Sequence, residues 1–76
     1  MDVNKTLDAT GLLCPMPILK IVQAVKEMKT GEVLEITATD PGIKADIKNW
    51  CEMMGHELID IQEKDGKIVV HLKKLK

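Results

Sequence analysis

Twice in this chain a short alternating stretch runs into a proline-marked helix start, first at Cys14-Pro15-Met16-Pro17 and again at Asp40-Pro41-Gly42. That repetition constrains the fold more than any other feature. Proline is tolerated in the first turn of a helix because the N–H it lacks would have no intrahelical partner there. Each motif therefore marks a passage from strand to helix. Pro15 is expected to open one helix with Cys14 at its cap. Asp40 fits the N-cap of the second helix and Pro41 its first helical position.

The flanking patterns supply the elements. Val3 to Ala9 reads as a strand with Lys5, Leu7 and Ala9 on one face, and Thr10-Gly11 breaks it, Gly11 supplying a flexible turn. From Pro15 to Lys29, the residues Ile18, Ile21, Val22, Val25 and Met28 recur at helical spacing, and Gly31 fits a C-terminal cap. Glu32 to Thr39 alternates, with Leu34, Ile36 and Ala38 facing one way and Glu35 and Thr37 the other. Ile43, Ile47, Cys51 and Met54 share one face of a second helix, which Gly55 closes. His56 to Lys64 and Lys67 to Lys73 read as strands joined by Asp65-Gly66, a strong two-residue hairpin signal.

The order is βαβαββ. In the last two strands one face is consistently apolar: Ile59 and Ile61, then Ile68, Val70 and Leu72. One-sided strands predict an α/β two-layer sandwich with both helices on one face of a mixed four-stranded sheet. Val33, Leu58 and Val69 are expected on the open face. Right-handed crossovers make successive parallel strands step the same way. The final antiparallel strand then sits either at the edge or between the second and third strands, and pattern alone does not choose. The tail Lys73-Lys74-Leu75-Lys76 is expected to be a solvated end.

Composition removes several classes of function. The 76 residues carry 11 basic and 12 acidic side chains, a formal net charge of -1, so nothing draws the chain to nucleic acid or an anionic membrane. With one Trp and no Phe or Tyr there is no aromatic platform for stacking bases. The N-terminus is polar and no apolar run reaches membrane-spanning length, so a soluble, cytoplasmic chain is expected. Two cysteines without a C-x-x-C pair offer neither a disulfide framework nor a zinc half-site.

The chemistry points to Cys14. A thiol at a helix start sees the partial positive charge of the helix N-terminus, which favours the nucleophilic thiolate. The plainer reading is an inert buried cysteine, and the stiff frame of Pro15 and Pro17 weighs against it. Both helix starts, and with them Asp40, fall at the rim where the parallel strands end, the rim that ligands of open α/β layers favour. Cys51 lies about 15 Å along its helix from that rim, too far for a disulfide, and is expected to be packing. Cys14, Cys51, His56 and His71 show no metal-ligand spacing. Trp50 is either a core-edge residue or a partner contact. With no Cys/His pair in view, Cys14 suits exchange of an already activated group better than acyl hydrolysis.

The stretch Leu7-Asp8-Ala9-Thr10-Gly11-Leu12-Leu13-Cys14-Pro15-Met16-Pro17 resembles the opening motif of the TusA-like (SirA-like) sulfur-carrier family. Thr39-Asp40-Pro41-Gly42, Asp46-Ile47, Trp50-Cys51 and Gly55-His56-Glu57-Leu58 look like its second segment. The resemblance covers nearly the whole chain, as one sulfur-carrier domain over residues 1–76. It implies strand order 1-2-4-3 and no soluble cofactor. It also implies that Cys14 accepts sulfane sulfur from a donor protein, such as a cysteine desulfurase or a rhodanese-like protein, holds it as a persulfide and passes it to an acceptor protein. Destinations in the family include tRNA thiolation, molybdenum-cofactor assembly and other sulfur metabolism. Leu13 and Met16 stand where some members carry Arg and Glu, which bears on the choice of donor and acceptor. Leu12, Leu13 and Met16 would form a docking patch on a monomeric carrier that contacts neither nucleic acid nor membrane directly. Two rivals remain: a non-catalytic regulatory or protein-binding module using the same rim or the open sheet face, and a thiol redox sensor, which lacks a nearby resolving cysteine.

Overall fold

A computed structural model describes residues 2–13 and 16–76. Its elements run β1 (Lys5–Ala9), α1 (Met16–Lys26), β2 (Val33–Ala38), α2 (Ile43–Met54), β3 (Glu57–Lys64) and β4 (Lys67–Lys73). The four strands form one sheet in the order β1-β2-β4-β3. β1 and β2 are parallel, and β4 runs antiparallel to both β2 and β3. The last strand is thus inserted centrally, the choice that the alternation pattern left open.

Register explains the core. Leu34, Ile36 and Ala38 lie opposite Leu72, Val70 and Ile68, so one face of the two central strands is wholly apolar. All six are buried, together with Ile21 and Val25 of α1 and Ile43, Ile47 and Cys51 of α2. Both helices cover that face. Burying each Leu or Ile there contributes about 1.5–3 kcal/mol.

Four local expectations are corrected. α1 stops at Lys26 instead of Lys29, because the next two amides turn tighter: Glu27 N–H donates to the Ala24 carbonyl and Met28 N–H to that of Val25. Gly31 is consequently no helix cap. It takes the third position, φ 93°, of a turn closed by Glu32 N–H on the Lys29 carbonyl. Met54 is 49% exposed, because Gly55 ends α2 one residue later, at φ 79°. In β3 a register shift between Leu58 and Asp60 makes Ile59 an extra residue. Leu58 and Ile61 therefore pack on the core while Ile59 moves to the open face, exchanging the sides expected for Leu58 and Ile59.

The tail is structural too. Lys74 N–H donates to the Glu32 carbonyl, and the Lys74 carbonyl accepts from Gly31 N–H. Its Nζ donates to the carbonyls of Val25 (2.8 Å) and Met28 (2.7 Å). Lys74 thus closes the C-terminal end of α1, where carbonyls lack intrahelical partners and the helix dipole is negative.

Candidate functional site at the carboxyl rim of the sheet

The parallel pairing ends with Ala9 opposite Ala38. Beyond it the β1–α1 and β2–α2 loops lie side by side. Pairing of Ala38 with Ile68 and of Lys64 with Lys67 brings the Asp65-Gly66 turn to the same rim. That turn takes positive φ at both residues, 53° and 76°, as the hairpin signal requires.

Cys14 and Pro15, the expected thiol and the proline expected to open the helix, lie outside the described residues. Their frame is defined on both sides. Gly11 turns the chain at φ 77°. Just before it, the Asp8 carboxylate accepts from both the hydroxyl (2.7 Å) and the N–H (2.9 Å) of Thr10. Those two bonds hold the Asp8 carboxyl below the usual carboxylate range, with Lys67 and Lys20 adding to the effect. Met16 N–H closes on the Leu13 carbonyl at 2.9 Å. Pro17 is fully buried beneath the start of α1, which anchors the second half of the Pro-x-Pro frame.

Around this frame the surface is apolar. Leu13 is 75% exposed, Leu19 51% and Met16 46%. Leu12 instead packs against the core and leaves the expected patch. Leu19 joins it, a residue that sequence reasoning passed over; being three after Met16, it falls on the same helix side.

Asp40 is not the N-cap but lies two positions before it. Its carboxylate accepts from Gly42 N–H at 3.0 Å and its carbonyl from Ile43 N–H at 3.1 Å. The regular helix begins only at Ile43, with Gly42 as its N-cap and no side-chain bond at that cap. Pro41 sits in the tight turn leading into it. Lys44 of α2 pairs with Glu63 of β3, tying the helix start to the hairpin.

The remaining candidates lie elsewhere. Cys51 is a buried free thiol in the core, and burial pushes its pKa up to about 11. A thiol held that far above neutrality has almost no thiolate to offer. In the folded protein an alkylating agent is expected to leave Cys51 unmodified at neutral pH while reacting fully after denaturation. Peptide mass mapping of the two samples checks this, and fast native modification of Cys51 would contradict it. Trp50 packs at the core edge with its ring 5.2 Å from that of His56. His56, at the opposite end of the molecule from the rim, accepts from Leu75 N–H at 3.2 Å.

His71 is the group whose partners the sequence hid. It lies on the open face, as alternation predicted, but is only 8% exposed. Its Nδ1 is 2.7 Å from Asp60 Oδ1 and its Nε2 2.9 Å from Glu35 Oε2. One histidine thus links β2, β4 and β3. Burial acts to lower its pKa, and the bonds to Asp60 and Glu35 outweigh it and raise it. Among the described residues no group of three or more His, Cys, Asp and Glu side chains is placed to hold a metal ion.

A two-layer βαβαββ sandwich whose β1–α1 and β2–α2 loops leave the sheet at one rim defines the class. The family model described as sulfurtransferase TusA matches residues 5–74, and the chain belongs to that family. It is 40% identical over 74 residues to the sulfur carrier protein TusA of Pseudomonas fluorescens, covering 97% of this chain and 89% of that one. It is 48% identical over 71 residues to the putative sulfur carrier protein YrkF of Bacillus subtilis, covering 93% of this chain and 38% of that one. The chain thus spans little more than a third of the length of some curated relatives. The crystal structure of a SirA-like protein from Desulfitobacterium hafniense superposes with a TM-score of 0.83 at 27% identity, covering 95% of this chain and 99% of that one.

Proposed function

We propose that this protein is a sulfur carrier that holds sulfane sulfur as a persulfide on Cys14 and passes it between proteins. The observation that carries the reading is the Cys14-Pro15-Met16-Pro17 motif, in a chain of the TusA family, set between an anchored Gly11 turn and a buried Pro17. The Cys14 thiolate attacks the terminal sulfur of a donor persulfide. The donor's S–S bond breaks, the donor cysteine leaves as its thiolate, and Cys14 becomes the persulfide. Nothing is oxidised or reduced overall, so no cofactor enters the step. An acceptor cysteine thiolate then attacks the outer sulfur of that persulfide. The S–S bond breaks, and Cys14 leaves as its thiolate while the acceptor becomes the persulfide. The nearby start of α1 favours the anionic forms at each stage.

The donor is a cysteine desulfurase or rhodanese-like protein, and the acceptor a protein serving tRNA thiolation, cofactor assembly or another sulfur pathway, all in the cytoplasm. Exposed Leu13, Met16 and Leu19 supply the contact surface, and their neutral character favours partners that dock through apolar packing more than charge. Neither histidine supplies a base for hydrolytic chemistry: His71 is held by two carboxylates and His56 lies at the far end of α2.

Incubation with a cysteine desulfurase and cysteine, followed by intact mass under non-reducing conditions, tests the reading. Wild type is expected to gain sulfur, Cys14→Ser to gain none and Cys51→Ser to behave as wild type. Failure of wild type to load from several competent donors would overturn it. Full cellular function of Cys14→Ser would favour a non-catalytic binding module instead.

A further inference from the structure

Three successive amides lead into the cysteine loop, and each has a partner. Thr10 N–H donates to the Asp8 carboxylate, and Leu12 N–H donates to the Ala9 carbonyl at 3.3 Å. Both acceptors belong to the same short segment and travel with it. Gly11 N–H, between them, donates instead to the Thr39 hydroxyl oxygen at 2.9 Å. Thr39 is the first residue after β2. It is therefore the one partner of these three amides that ties the loop to another element.

The placement follows from the ladder. β1 and β2 pair through Ala9 and Ala38, and a continued parallel ladder would add its next rung at Thr10, opposite Thr39. Gly11 instead turns the chain away at φ 77°. A side-chain oxygen on Thr39 catches the amide as it leaves, so the rung is completed by a hydroxyl in place of a carbonyl. Threonine suits this task because its branched Cβ leaves few χ1 choices, so the oxygen is held in place. Thr39 also directly precedes Asp40, whose carboxylate and carbonyl start the turn into α2. One short segment thus fixes the second helix start and the approach to Cys14, three residues beyond Gly11.

We propose that Thr39 is a positioning residue for the Cys14 thiol, acting through the Gly11 amide. The inference rests on Cys14 being the sulfur-bearing group, and it assigns Thr39 no contact with sulfur.

The test compares wild type, Thr39→Val and Thr39→Ser. Valine keeps the shape and loses the acceptor; serine keeps the acceptor. Thr39 is exposed, so neither change disturbs the core. In Thr39→Val the Gly11 amide is expected to exchange with solvent about fivefold faster, the consequence of losing one net hydrogen bond. Sulfur loading of Cys14 slows by a similar factor, and the pH profile of Cys14 alkylation moves to higher pH, with the thermal midpoint little changed. Thr39→Ser restores all three. Wild-type loading and alkylation in Thr39→Val would overturn the inference while leaving the carrier reading intact. Equal impairment of both variants would overturn it too, since the hydroxyl would not be the cause. If wild type itself fails to load, the carrier reading falls, and the amide exchange and alkylation profiles still judge Thr39.

Discussion

Replacing Lys74 with methionine is expected to destabilise the protein by about 2 kcal/mol, within the range for hydrogen bonds to a charged group. Methionine keeps the apolar stem, so packing changes little. What disappears is the ammonium that bonds the Val25 and Met28 carbonyls at 2.8 and 2.7 Å. Both bonds are partly buried, so water replaces them only incompletely. The charge also opposes the negative end of the α1 dipole. The backbone bonds from Lys74 to Glu32 and from Gly31 to Lys74 survive the substitution, so the loss isolates the side chain. A domain of this size has only about 4–11 kcal/mol of stability in all, so the shift would be plain in urea denaturation. A variant within about 0.5 kcal/mol of wild type, the scatter expected of an ordinary surface change, would sink the assignment.

A second large effect concerns pH. The neutral imidazole of His71 can donate from only one nitrogen, leaving the other lone pair facing a carboxylate oxygen. Protonation satisfies Asp60 and Glu35 together, which is why the two bonds outweigh burial and raise the pKa above 6.5. The sign follows from linkage: a group that binds its proton more tightly when folded adds stability that is fully present below its unfolded pKa. His71 should therefore stabilise the fold most below pH 6.5, with the contribution lost as pH rises through its folded-state value. Lys67, Lys73 and Glu57 also face this side of the sheet and modulate the field. His71→Gln is expected to lose about 1–2 kcal/mol in mildly acidic solution, and less at about pH 8. An NMR titration of the imidazole with a midpoint below 6.5, or a stability gap between variant and wild type that does not narrow with rising pH, would contradict the account.

What could be read in advance was whatever a residue declares by itself or to its near neighbours. The two proline motifs, the Asp65-Gly66 turn, the Gly55 stop and the alternation of Leu34, Ile36 and Ala38 all became elements at or within a few residues of their expected places. The central position of β4 was not legible in this way, since edge and centre satisfy the same handedness rule; family resemblance supplied it. Interactions between distant positions were hidden. Lys74 reaches back 46 and 49 residues to α1, and His71 meets partners 11 and 36 residues away. In composition both look like ordinary surface residues. Thr39 was hidden for the same reason: its value comes from Gly11, 28 residues earlier. Cys14 is the opposite case. The signal that singles it out is written in its immediate neighbours, Gly11, Pro15 and Pro17.

The extra residue at Ile59 has a consequence for how crowded copies of this chain behave. β3 is an outer strand and, with eight residues, the longest in the sheet. A flat strand of that length at the border offers a row of unpaired amides and carbonyls to any second chain. The bulge kinks that row near its start, at the third residue, and Glu57, Glu63 and Lys64 put charge along it. The chain is thereby discouraged from adding its own kind along this flank. Deleting Ile59 would straighten the border and invite strand-to-strand self-association.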